Sequence, residues 1–339
     1  MSEVKITTLS PIHISSGNEY ELNFNSLQSG EFIYLYDEFK IAEFFINNNI
    51  SIPSNFNELK SLIKSKKEQI IRSNLHKRRV VNKFDINKTV LEQVNSASKP
   101  IITGSSLKGA IRTAYIYKMV KDGIFKKEKE ELQKIDDMME EASYDQKNDL
   151  FKQKKKLKKD IEKKITNKTK SVFKYLKISD TLEEFNTKIV KTINIKKEKS
   201  HQQNRSKKVE SLSNFVESIA EGQNNSFVLN IEDDYFKNCA SVCNEYYQKL
   251  YNVDFDYYFA NHSLKRELNL NKNKFLLNIG RFGGAEKKSI EVIRSLNKTG
   301  AEVDFETSAV TFGLDLDNGK TPYFENELVP FGWILCEII

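Results

Sequence analysis

The segment ITGSSLKGAIR, residues 102–112, decides how the chain around it folds. A short apolar run over residues 100–103 predicts a strand, and Gly104 permits a tight turn directly after it. From Leu107 to Met119, apolar residues then recur at the spacing of one helical face. The segment therefore predicts a strand, a turn and a helix. Two residues are suited to cap that helix, Ser105 and Ser106.

The predicted start of this helix has the features of an anion-binding site. The first helical turn leaves main-chain N–H groups unpaired, and the helix dipole adds positive potential there. Lys108 and Arg112 lie four residues apart and hence on one face, while Gly109 would let a strand or a nucleotide approach closely. The alternative is an ordinary capped helix with surface cations. The candidate phosphate contacts here are Gly104, Ser105, Ser106, Lys108, Gly109 and Arg112.

A second glycine-rich loop, GRFGGAEKKS, covers residues 280–289. Main-chain amides, one guanidinium and two ammonium groups could surround a phosphate there, and Phe282 could stack on a base. The spacing matches neither a Walker A loop nor GxGxxG, so nucleotide hydrolysis has no support. The candidate contacts in this loop are Gly280, Arg281, Phe282, Gly283, Gly284, Lys287 and Lys288.

Near the N-terminus, PIHISSG covers residues 11–17 and contributes Ser15, Ser16 and Gly17 as further candidates. His13 could act as a general base, although a single histidine without a partner is more often structural. His76 stands in the basic run HKRR, where an RNA contact is favoured over acid–base chemistry.

Elsewhere, strands and helices alternate without the long parallel crossovers of a doubly wound sheet. We therefore expect an α+β protein with two ferredoxin-like domains of the split βαβ type, 1–225 and 226–339. A lysine-rich helical insertion is predicted over about residues 121–170, and its near-balanced charge favours a solvated face. The individual strand predictions are 4–14, 31–36, 171–179, 226–232, 274–279 and 333–339, and helices are predicted after Asp37 and over 233–250.

Composition excludes several protein classes. Among 339 residues, Pro and Gly number only 5 and 13, which excludes a collagen-like or wholly disordered chain. No apolar run approaches the length of a membrane span, and three cysteines form no disulfide framework, so we expect a cytoplasmic protein with reduced thiols and no membrane partner. Cys239 and Cys243 are interpreted as buried residues of one helical face, and no cofactor or metal is predicted.

Positive charge is concentrated in one segment. The net charge of the whole chain is +7, and residues 188–208 hold eight basic residues against a single acid. Such clustering is typical of a polyanion partner, with a solvated basic loop as the alternative. The candidate contacts in this segment are Lys197, Arg205, Lys207 and Lys208.

Four motifs in order, PIHISSG, TGSSLKGAIRTA, IGRFGGAEKKS and the late PFGW, resemble the RAMP subunits of type III CRISPR effector complexes. More narrowly, they resemble the Csm-series subunit that caps the 3′ end of the guide RNA (crRNA) in type III-A complexes. The resemblance implies ferredoxin-like, RRM-related domains, crRNA binding without catalysis, and a role in crRNA maturation and antiviral defence. Its implied partners are the crRNA, the other Csm subunits, above all the repeated backbone subunit, and host nucleases that trim the crRNA.

Two departures from the family pattern and three alternatives remain at this point. Ser15 stands where the family's first loop often has Gly, and the insertion over 121–170 matches no motif. One alternative is a RAMP endoribonuclease that uses His13 or a metal held by acids such as Asp37, although Asp37 is better placed to cap a helix. The others are a backbone or 5′-handle subunit of a related complex and a protein whose insertion docks other proteins.

Overall fold

The computed structural model describes residues 1–196, 209–210, 213–258, 263–290, 309–314 and 328–339. The α-helices in these ranges are Glu38–Asn47 (α1), Phe56–Ser65 (α2), Lys67–Arg72 (α3), Gly104–Lys121 (α4), Lys126–Glu141 (α5), Tyr144–Phe173 (α6) and Cys239–Asn252 (α7).

The strands alternate with these helices along the chain. The strands before α4 are Ser2–Thr8 (β1), Ser15–Tyr20 (β2), Ser26–Ser29 (β3), Phe32–Leu35 (β4), Arg78–Val81 (β5), Val90–Gln93 (β6), Asn95–Ser96 (β7) and Lys99–Pro100 (β8). Those after α6 are Leu176–Ile178 (β9), Thr187–Lys196 (β10), Val209–Glu210 (β11), Phe215–Ile219 (β12), Asn224–Ile231 (β13), Lys274–Asn278 (β14), Ala309–Leu314 (β15), Leu328–Val329 (β16) and Trp333–Ile338 (β17). The α+β class predicted from the sequence is confirmed.

The first sheet joins the two ends of the chain. Its order is β14-β17-β1-β13-β9, and every pair in it is antiparallel. Val4 and Ile6 of β1 are fully buried, as their alternation predicts. The strand predicted over 4–14 is shorter than expected, because β1 ends at Thr8 and only the bridge from Ile12 to Ile219 continues the pairing. Strands from both sides of residue 225 pair in this sheet, and the domain division near that residue stays a prediction.

The second sheet has the path β2-β6-β12-β10-β5-β4-β3, and β11, β15 and β16 pair beside β10. Two of its pairs are parallel, β12 with β6 and β10 with β5. The short strands β7 and β8 form a separate hairpin. The second sheet thus has β5, β4 and β3 towards one end and β12, which carries Glu217, nearer its other end.

Helices α4 and α7 cover the first sheet and form the main core. Leu107 and Ile111 of α4 are fully buried, and the Tyr247 hydroxyl of α7 donates to the Ala110 carbonyl at 3.0 Å. Cys239 and Cys243 lie buried in this core, as the sequence indicated. The first sheet and its two helices thus bury the apolar stripe of ITGSSLKGAIR.

A second apolar cluster lies between helices α1–α3 and strands β3 and β4. Leu27, Phe45, Ile63 and Ile70 are buried in it. The carboxylate of Asp37 accepts a hydrogen bond from the Phe39 amide at 3.0 Å, so its predicted role as the cap of α1 is confirmed. The three helices therefore form a cap with a core of its own on one end of the second sheet.

The lysine-rich insertion forms an antiparallel pair of helices, α5 and α6, as predicted. It is not wholly solvated, since Ile161 and Ile165 are buried in the main core. The strand predicted over 171–179 is wrong in its first half: α6 continues to Phe173, whose ring packs against Tyr115 at 5.8 Å between ring centroids, and strand β9 follows. Tertiary packing of Phe173 overrides the alternating pattern there.

The strand predicted over 100–103 is also shorter than expected. Strand β8 ends at Pro100, and Thr103 rather than a serine caps α4, because its side chain accepts a hydrogen bond from the Ser106 amide. None of the helices in the described ranges is long and apolar enough to cross a membrane.

Two glycines of α4 have opposite environments and give a stability test. A Cβ on Gly104 would lie 2.3 Å from the Ile178 carbonyl oxygen, whereas a Cβ on Gly109 would meet no atom within 4 Å. We expect Gly104→Ala to lower the free energy of unfolding by about 1–3 kcal/mol through overpacking. Gly109→Ala should raise it by roughly 0.5–1 kcal/mol, because Ala has the higher helix propensity. Urea denaturation of the two variants and the wild type measures both effects, and equal effects would contradict this account of α4.

Candidate nucleic-acid interface

Three of the four motif loops meet in the folded chain. The amide of Ile279 donates to the Gly332 carbonyl at 2.8 Å, and the Gly332 amide donates to the Pro11 carbonyl at 2.8 Å. The amide of Arg281 donates to the His13 carbonyl at 2.7 Å. Residues 10–17, 279–288 and 330–333 thus form one hydrogen-bonded surface, called here the loop platform.

Two glycines make this assembly sterically feasible. Gly280 has φ +74°, and a Cβ there would lie 2.4 Å from the His13 carbonyl oxygen. Gly332 has φ +87°, and its Cβ would lie 2.2 Å from the Ile279 carbonyl oxygen. A side chain at either position would collide with main-chain atoms of the neighbouring loop. The glycines that were expected to admit a phosphate therefore first serve the contact between protein loops.

Arg281 and Phe282 lie at the exposed edge of the platform. The Arg281 guanidinium is exposed and lies 5.5 Å from the centre of the Phe282 ring. The ring itself is half-buried, with ring centroids 5.6 Å from His13 and 5.5 Å from Phe331. Part of the stacking surface predicted for a base is thus occupied by the protein. Gly283 is buried beside the Asn278 side chain, and Gly284 is half-buried with φ +92°.

The two lysines of this loop turn their ammonium groups into the protein. Lys287 is buried, and its Nζ lies 2.8 Å from the carboxylate of Asp254, which also accepts from the Trp333 indole at 2.7 Å. Lys288 has an exposed stem, but its Nζ donates to the main-chain and side-chain oxygens of Asn278, both at 2.8 Å. Burial, together with the charge of Lys287, holds the pKa of Lys288 well below its usual range. Both ammonium groups stabilise the conformation of the loop. The sequence analysis expected them to face a phosphate, whereas the structure turns them towards protein oxygens.

His13 is buried beneath Phe282. One ring nitrogen, Nδ1, lies 2.7 Å from the main-chain oxygen of Glu217, and Nε2 has no hydrogen-bond partner among the described residues. Burial lowers the pKa of His13 to about 4; the hydrogen bond to Glu217 opposes this shift, and the charge of Arg281 adds a little to it. The imidazole is therefore neutral at neutral pH.

Beside His13 lies a buried polar network that the sequence analysis missed. The carboxylate of Glu217 is fully buried and accepts from Arg78 Nη2 at 2.6 Å, Thr187 Oγ1 at 2.8 Å and the Gln93 amide at 3.2 Å. Burial raises the pKa of Glu217, and the Arg78 guanidinium opposes the shift. The available signal was an acid in the middle of the apolar run FVESI, residues 215–219.

The polar groups at the start of helix α4 already have partners within the protein, unlike the open anion site that was predicted. The Gly104 amide donates to the Asp180 carboxylate at 2.8 Å, so a protein carboxylate already occupies part of the predicted anion site. The hydroxyls of Ser105 and Ser106 both contact Thr103 Oγ1, at 3.1 and 2.9 Å. Lys108 is half-buried, and its ammonium group makes no ion pair or hydrogen bond with any described residue.

Arg112 and Gly109 complete the set on α4. Arg112 donates from Nε to Thr169 Oγ1 of α6 at 3.0 Å and is half-buried, with its pKa lowered chiefly by burial. It thus binds the insertion to α4 and does not pair with Lys108 around one anion. Gly109 is exposed and borders open space. Of the two predicted cations, Lys108 is the one whose charged group has no partner among the described residues.

A single buried side chain connects α4 with the loop platform. Gln93 accepts from the Ile14 amide through Oε1 at 2.8 Å and donates from Nε2 to the Ile101 carbonyl at 3.2 Å. Because Ile101 lies two residues before Thr103, the cap of α4, both candidate segments are held on one framework.

The remaining candidates are spread more widely. Ser15, Ser16 and Gly17 begin strand β2, where the Ser16 hydroxyl donates to Glu92 at 3.0 Å and Gly17 is exposed. Four candidates of the basic segment lie outside the described residues: Lys197, Arg205, Lys207 and Lys208. Within the described ranges, no three His, Cys, Asp or Glu side chains are grouped closely enough to hold a metal ion.

Comparison with solved structures gives several matches, and two of them extend along almost the whole chain. One is a chain of a Csm-crRNA-target RNA ternary complex of a type III-A CRISPR-Cas system, studied by cryo-EM: it is 15% identical, with a TM-score of 0.64 over 99% of this chain and 100% of that one. The other is the crystal structure of T. onnurineus Csm5, also 15% identical, with a TM-score of 0.54 over 97% of this chain and 99% of that one. At this identity, the likeness establishes a shared fold.

Comparison with curated protein sequences found no significant match. The family model described as the RAMP superfamily, in contrast, matches residues 5–335 and thus includes all three loops of the platform and the α4 segment. On the strength of that match, the chain belongs to the RAMP superfamily.

Proposed function

We propose that this chain is a crRNA-binding assembly subunit of a type III-A CRISPR complex, located at the 3′ end of the guide RNA. The observation that carries the proposal is the convergence of PIHISSG, IGRFGGAEKKS and PFGW on one hydrogen-bonded platform within a RAMP fold. Solved chains of the same fold come from a Csm-crRNA-target RNA complex and from Csm5. The backbone subunit and host trimming nucleases are the protein partners that this role implies.

The loop platform and helix α4 together offer what an RNA backbone needs. Arg281 projects a guanidinium from a loop whose main chain is fixed at both ends, and Lys108 presents an ammonium group that has no acidic partner in the described chain. Phosphate contacts of this kind position an RNA strand without reading its sequence. A subunit that must accept many different guide sequences requires this type of contact.

The same geometry supports a non-catalytic role. His13 is fully buried under Phe282, and its lowered pKa keeps it neutral, so a substrate hydroxyl has no access to it in this arrangement. Asp37 is engaged in capping α1 and lies 3.8 Å from the Lys77 ammonium. Each residue has a structural task that accounts for its position.

The position along the guide RNA can be tested by co-expression with the sibling subunits. We expect 4-thiouridine in the 3′ portion of the guide to crosslink to this chain in the isolated complex, with the RNA intact. Crosslinks to the 5′ handle would contradict the capping role and would favour the subunit of the opposite end. Guide nucleotides bound to peptides of residues 279–288 would place the contact on the platform.

The cation contacts can be tested by salt titration. Lys108→Ala and Arg281→Ala should each make the negative slope of log K against log salt shallower by about 0.7, the value for one contact to a single-stranded phosphate. Lys118→Ala is the matched control, since Lys118 lies on the same helix but pairs with Asp122 at 2.9 Å. Fluorescence anisotropy with a labelled RNA measures the slopes. Unchanged slopes for both test variants would contradict the proposed interface.

The role of His13 can be tested by pH. The folded pKa of about 4 lies below the usual 6.5, so between these values the unfolded chain binds more protons. Folding stability contributed by the neutral imidazole is present above pH 6.5 and is lost towards pH 4, by up to about 3 kcal/mol. The raised pKa of Glu217 acts in the opposite direction and is common to wild type and variant.

We expect His13→Gln to reduce this acid-induced loss, measured by urea denaturation between pH 7 and 4. Guide length in the purified complex should not change. A longer guide RNA with unchanged RNA binding would contradict the structural role of His13 and would favour the endoribonuclease alternative.

A further inference from the structure

An open cleft lies apart from the loop platform, where the helical cap meets the second sheet. Its cavity volume is about 520 Å³, within the usual range for small-ligand sites. Helix α3 and the turn after it form one wall, and strands β4 and β5 form the other. The lining residues include Tyr34, Ile71, Asn74, His76, Lys77 and Arg79.

The lining of this cleft is basic. Lys77, Arg78 and Arg79 contribute to it, and no Asp or Glu does. Arg78 is paired with Glu217 at 2.6 Å, and Lys77 lies 3.8 Å from Asp37. Arg79, in contrast, is exposed and has the Phe32 ring as its neighbour, 4.9 Å from the guanidinium carbon. Its charge is therefore free for an anion that enters the cleft.

An aromatic surface lies directly beside that charge. Tyr34 and Arg79 are register partners on the antiparallel strands β4 and β5, so their side chains share one face of the sheet. The His76 ring packs edge-on against Tyr34, with ring centroids 5.1 Å apart. His76 Nδ1 is buried and has no hydrogen-bond partner within the described chain. Tyr34 and His76 thus form one aromatic wall of the cleft next to the Arg79 guanidinium.

The walls of the cleft rest on the buried apolar cluster between helices α1–α3 and strands β3 and β4. Ile70 of α3 and Leu27 of β3 are fully buried in the cluster below it, and Tyr36 is nearly so. Both walls consequently keep their positions without a ligand, which lowers the entropic cost of binding.

We propose that this cleft binds one nucleotide of a single-stranded RNA, with the phosphate on Arg79 and Lys77 and the base on Tyr34. Aromatic stacking beside a guanidinium is the usual means of holding single-stranded RNA. The polar groups of His76 and Asn74 lie at the edge of the base. An acidic protein segment could satisfy the charges, but it would leave the Tyr34 aromatic surface uncovered.

The cleft and the loop platform are mechanically connected. Arg78 lines the cleft and donates to Glu217, whose main-chain oxygen is bonded to His13 beneath Phe282. The two surfaces are therefore held in fixed relation by one buried chain of hydrogen bonds. The identity of the RNA as a guide rests on the proposed function, whereas the nucleotide chemistry of the cleft rests on its own lining.

The test uses the full chain and a fluorescein-labelled 12-nucleotide adenine RNA. We expect Arg79→Ala and Tyr34→Leu each to weaken binding about fivefold or more, the loss typical of one stacked base or one guanidinium contact. Arg72→Ala is the matched control, because Arg72 is exposed on α3 and lies outside the lining; it should change binding less than twofold. Circular dichroism and urea denaturation verify folding, and Arg79→Ala remains informative if Tyr34→Leu disturbs the cap.

Several results would overturn the proposal. Equal losses for Arg79→Ala and Arg72→Ala would show diffuse charge attraction instead of a site. A loss of binding to a hexaglutamate peptide, with RNA affinity unchanged, would assign the cleft to an acidic protein segment. If cleft variants leave RNA binding unchanged while Arg281→Ala weakens it, the cleft proposal fails and the proposed function stands; if Arg281→Ala has no effect either, both fail.

Discussion

The buried carboxylate of Glu217 is the constraint on which the rest of the structure depends. It lies on β12 and accepts hydrogen bonds from Arg78 of β5, Thr187 of β10 and the Gln93 amide of β6, while its main-chain oxygen is bonded to His13. A fully buried carboxylate is tolerated only when its oxygens are satisfied, and removal of one partner of a buried ion pair typically costs about 3–5 kcal/mol. Three strands and the first motif loop are therefore held by one group. Register errors in the second sheet would leave that charge unpaired, so the network selects a single arrangement of strands.

The motifs PIHISSG, IGRFGGAEKKS and PFGW are far apart in sequence but form one structural unit, the loop platform. Gly280 lies against the His13 carbonyl and Gly332 against the Ile279 carbonyl, each at a distance that excludes a Cβ. The inward lysines serve the same unit, since Lys287 neutralises the buried Asp254 and Lys288 fixes Asn278. A glycine-rich loop with lysines suggests phosphate binding on sequence grounds. In this fold, much of that chemistry is used to join loops, and Arg281 is the cation of the platform that remains at the surface.

Local signals were sufficient for features whose partners lie nearby in sequence. The Asp37 cap, the helix of ITGSSLKGAIR and the paired helices of the insertion depend on contacts within a few residues or on periodicity, and each was predicted correctly. The errors share a different cause. Asp180 at the start of α4, Thr169 beside Arg112 and Asp254 beside Lys287 are distant in sequence, so spacing alone could not show that these charges and N–H groups already have protein partners. Likewise, Phe173 extends α6 because it packs on Tyr115, a contact that no alternating pattern reveals.

Because several motif cations are bound to partners inside the protein, few positive charges remain for the proposed RNA contact. At the motifs, Lys108 and Arg281 are the cations whose charged groups make no ion pair or hydrogen bond with a described residue, and two phosphate contacts supply little affinity at physiological salt. In the proposed function, an RNA strand must therefore gain further contacts, from the cleft beside Arg79, from the basic segment 188–208 or from neighbouring subunits. Distributed weak contacts suit an assembly subunit, because the guide is then held firmly only when the whole complex is present. The hydrogen-bonded framework around Glu217 contributes the other requirement, since it links the His13 loop of the platform to the cleft lined by Arg78 and so fixes the distance between these two proposed contacts.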